Sequence, residues 1–188
     1  MKLTFANRIT VARILIVPFF ISTVLYYTPD QDHLRFVALA MFMVAMITDV
    51  IDGYIARSRF EKTRAGAILD PLADKVLLIS AFVCLYKVSA LFETVQFPMW
   101  LVVSVISRDV ILILGITIIF GVQGKLVIEP TPWGKATTFF ESLCIFGILL
   151  QVAASSYLWH VTLILVVISG IDYIRKGIKL LNNGDQIV

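Results

Sequence analysis

Charge is what this chain has least of. Asp, Glu, Lys and Arg make up 15% of its 188 residues, against about 25% in an ordinary soluble domain. Hydrophobic residues make up 59%, and mean hydropathy is +0.92. A water-soluble globule of this size would lack the polar residues to cover its surface, so a soluble domain and a disordered chain are excluded. Cysteine is nearly absent as well. Cys84 and Cys144 are the only two, and each lies inside an apolar run. They read as small core hydrophobes, and a secreted disulfide scaffold is excluded. The two histidines, His33 and His160, fall at helix ends and read as interfacial residues. The net charge of +3 is modest; in so apolar a chain it reflects topology, not nucleic-acid binding.

Apolar runs fill the rest. A membrane-spanning helix needs about 20 residues, and the runs predict spans at 9–28, 34–56, 67–89, 97–121, 134–154 and 157–175. The expected fold is an all-α integral membrane protein of six transmembrane helices, one domain over residues 1–188. No small-x-small cleavage site follows the first run, which therefore reads as an uncleaved helix. The basic residues set the orientation. Thirteen of the 16, from Lys2 to Lys179, fall on the N-terminal side of the spans. Only Arg35 and Lys87 fall on the other side, and Arg108 lies within the fourth span. Positive-inside then puts both termini in the cytoplasm. Trp100 and Trp159 near the outer boundary and Trp133 near the inner one read as an aromatic belt.

The acids are distributed differently. Asp49, Asp52, Asp70 and Asp74 lie at or near the cytoplasmic ends of the second and third spans. Asp49 and Asp52 are three apart and share a helix face; Gly66, Asp70 and Asp74 step by four and share another. Pro71 is compatible with this if the third span starts near Ala67, since a proline is tolerated in a first helical turn. Four crowded carboxylates repel one another and must either protonate or bind cations. An all-oxygen donor set favours a hard ion such as Mg2+ or Mn2+. Four carboxylates suffice for two ions, and a two-metal site suits phosphoryl transfer. Gly53, Ala56 and Gly66 leave room for a nucleotide or phosphate near the backbone, and Arg57 can pair with a phosphate.

Asp49, Asp52, Gly53, Ala56, Arg57, Gly66, Asp70 and Asp74 resemble the CDP-alcohol phosphatidyltransferase signature, D-x2-D-G-x2-A-R-x8-G-x3-D-x3-D, at every fixed position. Asn7-Arg-Ile-Thr-Val-Ala-Arg13 is similar to an opening common in that family. The resemblance implies that Asp49, Asp52, Asp70 and Asp74 hold the metal, with Asp70 and Asp74 catalytic and Asp74 the general base. It implies that Asp52, Gly53, Ala56, Arg57 and Gly66 line the CDP site. It implies metal-dependent transfer of a phosphatidyl group from CDP-diacylglycerol to an alcohol, with release of CMP, by a homodimer in the bacterial inner membrane with its site on the cytoplasmic side.

The acceptor is the open question. Arg108 within the fourth span and Lys135 at the start of the fifth are the candidate acceptor-binding cations. They favour sn-glycerol 3-phosphate, which would give phosphatidylglycerophosphate. Ile106-Ser-Arg108-Asp109-Val and Asp70-Pro-Leu-Ala-Asp-Lys75 also resemble cardiolipin synthases of the same family, whose acceptor is the lipid phosphatidylglycerol. As the competing structural reading, Arg108 would pair with Glu141 or Asp172 on other spans, because neighbouring helix positions point about 100° apart and Asp109 need not be its partner. Thr131, Thr137 and Thr138 are minor candidates for hydrogen-bonding substrate. A cation-coupled carrier is the more distant alternative, disfavoured because carriers hold their charges near the midplane.

Overall fold

The computed structural model describes residues 5–58, 64–123 and 131–184, with side chains described at 14–48, 75–115, 117–118 and 131–178. Among the described residues there are six α-helices and no strand: α1 (Phe5–Leu25), α2 (His33–Ser58), α3 (Arg64–Val88), α4 (Met99–Gln123), α5 (Pro132–Leu149) and α6 (Ser155–Gly184). Each overlaps one of the six apolar runs. Phe19, Phe36, Val44, Leu114, Phe139 and Ile164 are exposed, so these helices carry large apolar side chains outward. That is the pattern of a protein whose surroundings are apolar. Among the described residues one segment, Ser155–Ile178, is long and apolar enough to cross a membrane. Ile14–Leu25 and His33–Thr48 are shorter apolar helical stretches.

The chain divides into two compact units, Met1–Phe97 with Ile145–Ala153, and Pro98–Cys144 with Ala154–Val188. In the first, α1 packs against both α2 and α3. Phe20, Phe42, Phe82, Leu78 and Leu85 form its core. Phe42 stands at its centre, its ring 6.1 Å from Phe20 and 5.3 Å from Phe146. Pro18 lies inside α1 and supplies no N–H to the preceding turn; the Ser22 hydroxyl donates to its carbonyl at 2.9 Å.

Polar side chains tie segments of this unit together. Arg35 donates to both carboxylate oxygens of Asp32 at 2.8 Å and to the Leu149 carbonyl at 3.1 Å. Leu149 ends α5, where the last carbonyls have no helical donor. Gln151 follows with φ 54°, the left-handed conformation that turns a chain off a helix. Its Oε1 accepts the backbone N–H groups of Thr94 and Val95 at 3.1 and 3.2 Å, and its Nε2 donates to the Ile148 carbonyl at 2.8 Å. The chain therefore turns around Gln151. Ser155-Ser156, the gap left between the fifth and sixth predicted spans, instead begins α6.

Helix α3 also starts earlier than expected, at Arg64. Pro71 is then its eighth residue, a full turn inside the helix and outside the tolerated first turn. Asp70 and Asp74 accordingly lie within α3, not at its beginning.

In the second unit α4 packs along α6. Trp100 and His160 meet across that pair, ring centroids 5.5 Å apart. Trp100 and Trp133 are exposed, but Trp159 is buried and is a core residue instead of part of an aromatic belt. Cys84 and Cys144 are both buried and free, as their apolar settings predict. Cys144 Sγ lies 3.1 Å from Thr162 Oγ1.

Candidate active site

The eight motif residues fall on two consecutive helices. Asp49, Asp52, Gly53, Ala56 and Arg57 are in the C-terminal half of α2, and Gly66, Asp70 and Asp74 are in the N-terminal half of α3. Both stretches are helical, so the three- and four-residue spacings correspond to one helical turn. The side chains of these eight residues lie outside the described set. No group of three or more His, Cys, Asp or Glu side chains that could hold a metal occurs among the described residues.

Lys75 follows the motif directly. The sequence counts it among the basic residues of the cytoplasmic side, and it is buried. A side chain with an ammonium head reaches that degree of burial only when its charge has company.

The described polar centre is in the second unit, on α4, α5 and α6. Arg108 is 4% exposed and Asp109 fully buried. Arg108 Nη1 donates to Asp109 Oδ1 at 2.7 Å, and Nη2 donates to Ser169 Oγ at 2.9 Å. Its guanidinium carbon lies 5.6 Å from the centroid of the Tyr173 ring. Of the two partners that the competing structural reading names, Asp172 is engaged elsewhere. Asp172 pairs with Lys176 one turn along α6, at 3.3 Å, and Arg108 takes the residue beside it. A 100° offset on a helix is bridged by the length of the arginine side chain, and a buried carboxylate needs a charged partner close by.

Nε of Arg108 is buried and makes no hydrogen bond. The guanidinium thus has two nitrogens committed and one edge free.

Helix α5 begins beside this cluster. Thr131 accepts the Gly134 N–H at 3.0 Å through Oγ1, and Pro132 is the first helical residue. This is the threonine N-cap and N1 proline that open a helix well. The sequence reading of Thr131 as a substrate donor is replaced by this capping role. Thr137 Oγ1 donates to the carbonyls of Trp133 and Leu165 at 2.8 and 3.2 Å, so its hydroxyl is spent tying α5 to α6. Lys135, in the first turn of α5, is exposed. Arg108 and Lys135 thus differ: one cation is encased and orientated, the other is at the surface.

Sequence reasoning missed Ser169, Tyr173 and Gly134. Ser169 and Tyr173 are one turn apart on α6, an i, i+4 pair that a helix places on one face. What they face lies on elements distant in sequence.

These features define an all-helical protein with an aspartate-rich helical pair and a separate encased cation. The model of one family, CDP-alcohol phosphatidyltransferase, matches residues 3–170. Three relatives are similar over nearly the whole chain. Two are named CDP-diacylglycerol–glycerol-3-phosphate 3-phosphatidyltransferase, from Aquifex aeolicus and Haemophilus influenzae. Each is 31% identical, over 93% of this chain and 96% of its own in the first case and 97% and 98% in the second. The third, from Bacillus subtilis with the same name, is 30% identical over 95% of this chain and 97% of its own. This chain belongs to the CDP-alcohol phosphatidyltransferase family. It is an enzyme, a transferase of phospholipid biosynthesis. Its family is membrane-associated and generally depends on a divalent metal.

Proposed function

We propose that this enzyme transfers the phosphatidyl group of CDP-diacylglycerol to sn-glycerol 3-phosphate, forming phosphatidylglycerophosphate and CMP. One observation carries the reading: relatives named for that reaction match the chain nearly end to end, and the chain holds all eight signature positions.

Asp49, Asp52, Asp70 and Asp74 are the proposed metal-holding residues. Their donor chemistry fits, since four carboxylates within two helical segments make a hard, oxygen-only set suited to Mg2+ or Mn2+. Ions held by these four carboxylates would supply charge stabilisation for phosphoryl transfer. Gly53, Ala56, Arg57 and Gly66, with Asp52, take the CDP portion, the small residues admitting it and Arg57 pairing with phosphate.

Arg108 and Lys135 bind the phosphate of the acceptor. Support for Arg108 is its free Nε edge; support for Lys135 is its place in the first turn of α5, a helix end that favours anions. Asp74 accepts the proton of the acceptor's free hydroxyl. That oxygen bonds to the β-phosphorus, the bond from phosphorus to the CMP oxygen breaks, and CMP leaves with the electron pair.

In the same reading the protein is one domain of six spans in the bacterial inner membrane. Both termini and the aspartate motif are cytoplasmic, and it works as a homodimer. The 13 basic residues on one side support the orientation.

Purified enzyme supplied with CDP-diacylglycerol, Mg2+ and a panel of alcohols tests the reaction. CMP release with glycerol 3-phosphate, and phosphatidylglycerophosphate among the lipids, is expected. No CMP with any acceptor, or cardiolipin formed only with phosphatidylglycerol, would overturn it. Asp74→Asn should lose at least about a hundredfold in turnover, the scale of general-base removal.

A further inference from the structure

Gly134 is the third residue of α5, and the space where its side chain would stand is already taken. A Cβ there would lie 2.7 Å from the Tyr173 hydroxyl oxygen, 3.2 Å from Tyr173 Cε2 and 3.2 Å from Thr131 Oγ1. Real Cβ atoms do not approach other atoms to 2.7 Å. Tyr173 is therefore seated directly on the backbone of α5, one residue before Lys135. The guanidinium carbon of Arg108 lies over the Tyr173 ring, 5.6 Å from the centroid. Ser169, one turn earlier on α6, holds Nη2 of the same guanidinium. Asp109 holds Nη1. These contacts leave Nε as the unbonded edge of a cation that is 4% exposed.

We propose that Tyr173 is a positioning residue for the acceptor: wedged against Gly134, it fixes the Arg108 guanidinium so that its Nε edge meets an anionic oxygen of a phosphorylated alcohol. The proposal rests on the reading of Arg108 as an acceptor-phosphate ligand. It adds the device that aims Arg108. A planar cation over an aromatic face is held by electrostatic attraction and by flat packing. Without the ring the long arginine side chain has rotamer freedom, which binding must then remove. A Cβ at 134 forces the tyrosine ring to shift from its seat. The start of α5 and the guanidinium on α4 are thus mechanically linked through one tyrosine on α6.

The experiment is steady-state kinetics of the full-length enzyme in detergent, with separate KM values for glycerol 3-phosphate and CDP-diacylglycerol. Arg108→Gln tests the underlying reading, and should raise the KM for glycerol 3-phosphate selectively. Tyr173→Leu removes the aromatic face and should raise that KM by about tenfold, with the KM for CDP-diacylglycerol changed less than about twofold. Tyr173→Phe keeps the ring over the guanidinium and should lie much nearer wild type than Tyr173→Leu. Gly134→Ala should reproduce the Tyr173→Leu defect. Adding Tyr173→Phe to Gly134→Ala removes the atom at 2.7 Å and should recover most of the loss. Where Gly134→Ala does not fold, the double variant and Tyr173→Leu carry the test.

If Arg108→Gln raises the acceptor KM but Tyr173→Leu does not, the positioning role is overturned and the acceptor reading stands. If Tyr173→Leu raises both KM values alike, Tyr173 is merely structural and the proposal is overturned. If Arg108→Gln leaves the acceptor KM unchanged, the reading falls and the positioning role falls with it.

Discussion

At the scale of single residues, Arg108 and Asp109 show how a helix interior handles charge. Each is buried, and the two are paired at 2.7 Å. Removing Asp109 takes from a buried guanidinium the carboxylate beside it. Asp109→Ala should therefore destabilise the protein by about 3–5 kcal/mol, read as a large drop in thermal midpoint in detergent, whether or not substrate is present. The sequence marks Arg108 as a cation inside a long apolar run, which predicts its burial. It did not show the partner. Face geometry gave no reason to choose Asp109, but an arginine side chain is long enough to curl around its own helix. Gly134 and Tyr173 were illegible for another reason. They lie on different helices 39 positions apart, and neither belongs to a pattern that periodicity can detect. By contrast the aspartate motif stands out as a sequence pattern, since its positions follow one another at helical spacing within 26 residues.

At the scale of elements, the six helices follow the apolar runs, because hydrophobic length is what sequence displays best. Their ends were less legible, because ends are set by local polar contacts. The end of α5 is fixed by Arg35 on the Leu149 carbonyl and by the left-handed Gln151, and neither signal stands out in a glycine- and proline-poor segment. The link between α1 and α2 is held by the same Arg35 through Asp32. Hydrogen bonding from Arg35 holds the Asp32 carboxyl below its ordinary range, aided by the Arg35 charge and the Tyr27 hydroxyl. A carboxyl lowered in the folded state adds stability above its unfolded pKa, and that stability is lost as pH falls through the lowered value. The wild-type thermal midpoint should carry this contribution at neutral pH and lose it below about pH 4. The difference between wild type and Asp32→Asn should shrink over the same range. A difference independent of pH would contradict the ion pair. The contribution is small, because Asp32 is half open to its surroundings.

At the scale of the whole molecule, composition alone separated this chain from soluble proteins, since a 15% charged sequence has no means of covering itself with polar groups. The division into two units was not legible, because it depends on which helices pack together. If the four aspartates hold metal, chelation with EDTA should abolish CMP release, and added Mg2+ or Mn2+ should restore it. Activity that survives chelation and dialysis would exclude that assignment. The division also has a consequence for biosynthesis. Residues 145–153 belong with the first 97, and they supply the Leu149 carbonyl to Arg35 and the Gln151 amide to Thr94 and Val95. A ribosome makes residues 98–144 before it makes these. Neither unit is therefore finished before the other is begun: the first waits for residues 145–153 and the second for Ala154–Val188, and a nascent chain stalled before residue 145 would present Arg35 without the Leu149 carbonyl and the Thr94–Val95 backbone without Gln151.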